Sequence, residues 1–498
     1  MCHLRKRKKP DLTSASRRIR LLVVVRAPLS PNESPRRIIR PCSCRVRTAL
    51  RRAGTLFRRT SCPEGSSDRA LVGWGEPSAE EEEEWRGSIR REDDTPARST
   101  ATGRVDPLEN SDGGDVELDS GNPRPKVLLI NTGGTLGMRK DETGGLAPVP
   151  GYFTSQMLQM GALANPEDMP AFDILEHEPL LDSSCFTPSD WTRIAEDIGR
   201  AYHSYDGFVV CMGTDTMAYA ASALSFMLEN LGKTVVFTGS QIPLAEVYND
   251  ARRNVTVAMI IAANQEIPEV CVFFANRLLR ANRTVKVDSL ALGAFESPKF
   301  PPLGSLGVTM QYQRDVMLPP PRRAFRVHTR MDSRVVVIKL VPGFDDDALL
   351  AVVEHCYALR AIVLELYGTG NSPSRREDFV RFIQSAKAKG VMVVVVSQCL
   401  RGGVNLGTYA VGITLQENGV VSGGDMTTEA AVTKLAYLFG RTDDLQLIKQ
   451  LMGQNIRGEL SPESCFKHPI FGGSGKLDAG HGIVERSYGS TPSSRSRL

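Results

Sequence analysis

"GFVVCMGTDTMAYAASALSFMLENLGKTVVFTGSQ" occupies residues 207–241, and its hydrophobic rhythm changes twice. "GFVVCM" is a short unbroken apolar run, "TMAYAASALSFMLENL" is apolar on every side at helical length, and "TVVFTG" is again short and apolar. These runs read as strand, buried helix, strand. Strands that are continuously apolar rather than alternating belong to a parallel sheet covered on both faces. The same rhythm extends to the amino side. "KVLLI", 126–130, reads as a strand, and "PSDWTRIAEDIGRAYHSY", 188–205, as an amphipathic helix with Ser189 as its N-cap and Gly207 as a stop before the next strand.

On the carboxyl side, "VMLPPPRRAFRVH", 316–328, interrupts the pattern with three prolines and basic residues, and reads as a linker. The alternation then resumes on a smaller scale. "RVVVIKLV", a helix from about Asp345 to Ala358, "AIVLELYG", a helix around "REDFVRFIQSAKAKG", "VMVVVVSQ" and a helical region through "TTEAAVTKLAYLFG" follow in order. The expected class is therefore α/β with two parallel-sheet domains: a larger one over 125–318, a linker over 319–330 and a smaller, Rossmann-like one over 331–462. Residues 1–124 carry a basic block, then "EEEEE" at 80–84, and no apolar period. Such a composition cannot bury enough apolar surface to offset chain entropy, so a disordered arm is expected there. The Gly- and Ser-rich stretch 463–498 reads as a flexible tail.

The chain has 498 residues, 41% hydrophobic and 24% charged, within the ordinary range for a globular protein. Its net charge of +4 averages two unlike parts. Lys and Arg crowd the first 60 or so residues, and the remainder is net acidic, which argues against nucleic acid as a partner of the whole chain. Cys185, Cys211, Cys271, Cys356 and Cys399 each stand singly in or beside apolar runs. That suits reduced core thiols inside a cell better than a disulfide framework. No apolar stretch approaches the roughly 18–20 residues of a membrane span, so no membrane partner is expected. The expected location is the cytoplasm, with mitochondria as the alternative, since the Arg-rich, acid-poor start resembles a transit peptide in composition.

In open parallel sheets, ligands sit beyond the carboxyl ends of the strands. Three successive strands here end in Thr132-Gly133-Gly134-Thr135, Gly213-Thr214-Asp215-Thr216 and Thr238-Gly239-Ser240-Gln241. One such quartet would be an ordinary turn; three deliver hydroxyls, glycines and a carboxylate to one edge. Neither phosphate-loop spacing nor a dinucleotide fingerprint is present around "NTGGTLGMRK", and "FGGSGKL", 471–477, lacks the first glycine of a phosphate loop. A threonine nucleophile would need a group to remove its proton and donors for the developing oxyanion. The adjacent amides of Gly133 to Thr135 can offer such donors. A lysine amine held away from bulk water can take the proton, because burial disfavours its charged form. Lys286, in "RANRTVKVDSLALGAF", is the candidate. No G-x-S-x-G elbow is present, and none of the seven histidines falls in a zinc or triad pattern.

"NTGGTLGM", "PLLDSSCFTPSDW", residues 205–244, "NRTVKVD", "YGTGN", "GGDMTTEAAVTKL" and "NIRGELSP" stand in order over about 126–460. Together they resemble the type I, cytosolic-type L-asparaginases of bacteria and animals. The resemblance implies hydrolysis of L-asparagine to L-aspartate and ammonia without a cofactor, by homodimers or homotetramers. It implies Thr135 as first nucleophile and Thr214, Asp215 and Lys286 as a second catalytic group. Asp182, Ser183, Ser184, Thr214 and Asp215 would hold the substrate, with Ser183 on its α-carboxylate and Asp215 on its α-ammonium. The alternatives are a lysophospholipase-type ester hydrolase and a weakly active amino-acid-binding relative. Three positions depart from the pattern. Leu146 stands where many relatives have a tyrosine that orients the nucleophile. Glu365 and Val285 stand where the bacterial cytosolic enzyme places an arginine and a threonine of a second, allosteric asparagine site. A carboxylate cannot clamp a carboxylate, so simple saturation is expected.

Overall fold

The computed structural model describes residues 124–163, 169–263, 266–373 and 376–462. The arm expected over 1–124, but for its last residue, and the tail expected over 463–498 lie outside them.

Eight strands form the larger sheet: β1 (Lys126–Gly133), β2 (Ala171–Leu181), β3 (Gly207–Cys211), β4 (Thr234–Thr238), β5 (Val270–Phe274), β6 (Arg277–Arg280), β7 (Gly304–Leu306) and β8 (Met310–Tyr312). Their spatial order is β8-β7-β6-β5-β4-β3-β1-β2. β2, β1, β3, β4 and β5 are all parallel, so their carboxyl ends share one edge. Alternate residues feed two cores. Leu128, Ile130, Phe208, Val210, Val235 and Phe237 face α2 (Pro188–Ala201) and α3 (Met217–Met227). Val127, Leu129, Val209, Cys211 and Val236 face α1 (Tyr152–Leu163) and α4 (Ala251–Ala262). A sheet buried on both faces explains why these strands lack polar alternation.

The smaller sheet is parallel throughout, in the order β9 (Val335–Lys339), β10 (Ala361–Leu366), β11 (Met392–Ser397), β12 (Val421–Ser422). Its helices are α5 (Asp346–His355), α6 (Glu377–Ala388), α7 (Ala410–Glu417), α8 (Thr428–Arg441) and α9 (Leu445–Met452). α3 packs on the large sheet and also against α8, where Ser222 Oγ and Thr433 Oγ1 lie 2.7 Å apart. That double contact accounts for a helix that is apolar all round.

Four details differ from the sequence expectations. The larger sheet is mixed, because β5 turns back through Ala275-Asn276 into β6, and β7 and β8 continue antiparallel. Ala275 takes a positive φ of 54° where glycine or asparagine usually advertises a hairpin, which leaves Asn276 as the turn's single sequence signal. The N-cap of α2 is Thr187, not Ser189: Pro188 opens the helix and the Asp190 carboxylate accepts the Thr187 N–H at 2.7 Å. Gly207 does not stop the helix but begins β3, and a Cβ there would stand 1.7 Å from the Ala262 carbonyl oxygen. Finally, Cys211 and Cys271 are buried, but Cys185, Cys356 and Cys399 are exposed at element ends. Burial pushes the Cys211 thiol up to about 12. Among the described residues no helix is long and apolar enough to cross a membrane.

Candidate active site

The ends of β1, β2 and β3 meet because glycines let their backbones touch. Gly133 ends β1 at φ 115° and Gly134 follows it at 85°, a region open to glycine. A Cβ on Gly133 would lie 2.4 Å from the Leu181 carbonyl oxygen, and one on Gly134 would lie 2.2 Å from the Gly213 nitrogen. A Cβ on Gly213 would in turn come within 2.7 Å of Ser183 Oγ. The ends of β1, β2 and β3 are thus in direct contact.

Thr132 serves the structure: it is buried, and its hydroxyl donates to the Cys211 carbonyl at 3.1 Å. Thr135 begins the next 3-10 turn, is half-buried, and has no side-chain hydrogen bond among the described residues. The turn's amides are unequal. The Gly133 N–H donates to Asn131 Oδ1 at 3.2 Å and the Gly134 N–H to Leu181 O at 3.1 Å. Of the three amides expected to offer donors, only that of Thr135 is left without a partner among the described residues.

Thr214, Asp215 and Lys286 come together. Lys286 Nζ donates to Thr214 Oγ1 at 2.8 Å and to Asp215 Oδ1 at 2.6 Å. The lysine side chain is only 17% exposed, whereas that of Asp215 is 66% exposed and keeps its second oxygen toward solvent. Lys286 reaches the site from a short ribbon, Val285–Lys286 paired with Phe295–Glu296. Thr214 Oγ1 also donates to Gln241 Oε1 at 3.3 Å, so the amine, the hydroxyl and the amide form one chain. Gln241, fourth residue of the third quartet, and the Asp288–Ala291 loop that accepts its Nε2 on Ala291 O at 3.3 Å were not singled out from sequence. The Asp288 carboxyl of that loop is held below its usual range by the backbone N–H groups of Ala291 and Leu290.

The Asp182-Ser183-Ser184 segment follows β2. Ser183 is buried beneath the site: its Oγ accepts the Asp215 N–H at 3.2 Å and its carbonyl accepts Thr216 Oγ1 at 2.7 Å. Asp182 and Ser184 are exposed, with Asp182 Oδ1 accepting both the N–H and the hydroxyl of Ser184 at 2.9 Å. Leu146 lies 47% exposed in a ribbon opposite Lys140, which pairs with Glu246 at 3.0 Å. Among the described residues no three His, Cys, Asp or Glu side chains are grouped to hold a metal ion.

The sequence matches the family model described as "Asparaginase, N-terminal" over residues 126–318, and the "Glutaminase/Asparaginase C-terminal domain" over 334–452. The chain belongs to the asparaginase family. It is 44% identical over 340 residues to L-asparaginase 1 of Escherichia coli (strain K12), which covers 68% of this chain and 99% of that protein. The crystal structure of L-asparaginase I from Vibrio cholerae superposes with a TM-score of 0.63 at 40% identity, over 68% of this chain and 100% of that one. The 60 kDa lysophospholipase of Mus musculus is 38% identical over 364 residues, 68% of this chain and 63% of that protein. The asparaginase-family region is thus the two-sheet unit described above, and the strand-end site lies inside it.

Proposed function

We propose that the chain hydrolyses L-asparagine to L-aspartate and ammonia, with Thr135 as nucleophile. The observation that carries the reading is the contact of Lys286 Nζ with both Thr214 Oγ1 and Asp215 Oδ1 at the strand edge where Thr135 emerges. The Thr135 oxygen bonds to the carboxamide carbon, and its proton leaves toward the Lys286–Thr214 pair. The C–N bond then breaks, the nitrogen takes up a proton and ammonia departs. Water attacks the resulting ester on Thr135, releasing aspartate and restoring the hydroxyl. The unpartnered Thr135 amide supports an oxyanion donor. The outward oxygen of Asp215 complements the α-ammonium, and Ser183 and Ser184 with Asp182 bind the head of the amino acid. No cofactor enters these steps.

Val287 and Leu290, 37% and 91% exposed, flank the catalytic lysine and the Gln241-binding loop. Burial of these side chains by a second copy fits a homodimer or homotetramer, and sedimentation of the full chain reads its mass. The cytoplasm is the proposed location, and neither a nucleic acid nor a membrane is a proposed partner.

The test is ammonia release from asparagine, with glutamine and lysophosphatidylcholine as competing substrates. Asparagine is expected to be the preferred one. Thr135→Ala and Lys286→Ala are each expected to lower kcat by roughly 100-fold or more, on the order of what a nucleophile or general base contributes. Retained ammonia release in either variant overturns that residue's role, and ester hydrolysis without ammonia release favours the lysophospholipase reading.

A further inference from the structure

One carboxylate holds both ends of the segment that carries Thr135. Glu176 lies on β2 opposite Asn131 of β1, the last pair before the register jumps and Gly133 comes to face Leu181. Its Oε2 accepts Asn131 Nδ2 at 3.1 Å and the Thr154 hydroxyl at 2.8 Å, and its Oε1 accepts the Gly151 N–H at 2.6 Å. Asn131 is wholly buried and passes the contact on, because its Oδ1 accepts the Gly133 N–H at 3.2 Å. Gly133 leads into the Thr135 turn, while Gly151 and Thr154 stand at the start of α1. Between these two anchored ends runs the ribbon of Met138–Lys140 paired with Leu146–Pro148, in which residues 139–146 are exposed.

The directions of these hydrogen bonds admit one kind of group at position 176. The Gly133 N–H can only donate, so Asn131 turns Oδ1 toward it and Nδ2 toward Glu176. The Gly151 N–H can only donate as well. Position 176 must therefore accept at both ends, which a carboxylate does and a carboxamide, with its single oxygen, does not. A glutamine there would leave either the Gly151 N–H or the Asn131–Gly133 link facing an NH₂ group, and an unmatched donor is costly. The ribbon's own side-chain links lie at the surface: Lys140 meets Glu246 at 3.0 Å, and Arg139 stands over the Tyr152 ring at 5.1 Å. Exposed pairs of this kind add little order, so the ribbon's freedom depends on how its base is held.

We propose that Glu176 is a positioning residue for Thr135. By tying Asn131 to Gly151 and Thr154 it fixes where the turn leaves β1, and hence where the Thr135 hydroxyl stands relative to Thr214 and Lys286. The inference rests on the reading of Thr135 as nucleophile.

Two reciprocal substitutions test it. Glu176→Gln sets an NH₂ group against a donor, and Asn131→Asp sets two carboxylates against each other. The double variant Asn131→Asp/Glu176→Gln restores a donor facing an acceptor, keeps an acceptor for Gly133 and for Gly151, and has the parent's net charge. Trypsin reads the ribbon without any turnover. In the full chain, cleavage after Arg139 and Lys140, identified by the new amino terminus, is expected to be about tenfold faster in each single variant and within about twofold of the parent in the double. Each single variant is also expected to lower kcat on asparagine about tenfold with KM within about twofold, because the groups that hold the substrate are untouched, and the double should recover most of kcat. A lowered Tm with parent-like cleavage and kcat would make Glu176 a purely structural residue and overturn the proposal. So would a raised KM at unchanged kcat, or a double variant no better than the singles. If the parent chain releases no ammonia from asparagine, the nucleophile reading falls, while the tryptic comparison and its rescue still decide whether Glu176 clamps the segment.

Discussion

Gly134 holds the segment of Thr135, the proposed nucleophile, against the neighbouring strand end through the absence of a side chain. Its φ of 85° acts together with the close approach of Gly213, whose nitrogen would stand only 2.2 Å from an added Cβ. The expected outcome of Gly134→Ala is a loss of at least ~2 kcal/mol in denaturant unfolding, since a strained φ alone costs about 1–3 kcal/mol. Activity should fall further than stability does, because the relief of the clash moves Thr135 away from Thr214. An alanine variant with wild-type kcat would show that the close approach does not position the proposed nucleophile. At this scale the sequence was informative in part: hydroxyls, glycines and a carboxylate at three strand ends marked Thr132, Thr135, Thr214 and Asp215 alike, and only the resemblance chose among them. Lys286 was placed beside them only by resemblance, because a lone lysine in a polar stretch looks like a surface lysine. The uneven supply of amides in the Gly133–Thr135 turn was hidden too, since it depends on Asn131 and Leu181 taking two of them.

The turn that carries Lys286 is anchored by the segment after α9. Arg283, almost wholly buried, pairs with Asp425 at 2.7 Å, donates to the Gly458 carbonyl at 2.7 Å and reaches Ser461 Oγ at 3.0 Å. Burial pulls its guanidinium below the usual range, and Asp425 works against that pull. Asp425→Ala leaves a buried arginine uncompensated, and a loss of about 3–5 kcal/mol is expected, read as a lower Tm. None of this was legible in "RANR": the partners lie far along the chain, and nothing in local composition distinguishes a buried arginine from a solvated one. A second element-scale effect involves His328, which follows the Arg326–Val327 ribbon paired to Leu228–Glu229. Burial, reinforced by Arg441, pushes it down to about 4, against the attraction of Glu229. The unfolded chain takes up this proton near pH 6.5 and the folded one only near 4. Its contribution to stability is therefore complete above pH 6.5 and is lost as the pH falls toward 4, about 3 kcal/mol at most. Unfolding curves of His328→Gln should show a shallower acid limb than those of the parent chain.

Across the whole molecule, the alternation of strands and helices was legible, while the antiparallel extension from β5 through β8 was not, because it begins at a two-residue turn whose positive-φ position is the alanine Ala275 and not a glycine or asparagine. The positions that depart from the bacterial pattern now have local explanations. Glu365 accepts Thr428 Oγ1 at 2.7 Å and faces Lys339 Nζ at 3.5 Å, so it is committed to links between β9, β10 and α8. Val285 offers only a ribbon pairing with Glu296. Steady-state rates against asparagine should therefore follow a hyperbola, and a sigmoid would disprove the absence of a second substrate site. The anchoring of Arg283 also orders events during synthesis. The Gly133–Thr135 turn and Thr214 leave the ribosome early, but the turn that carries Lys286 has no Gly458 or Ser461 to grip until the chain has passed the end of the smaller sheet's last helix. A nascent chain halted before Asn455 carries every proposed catalytic residue and still lacks the clasp on Arg283, three residues before Lys286, so the proposed site is fully braced only late in translation.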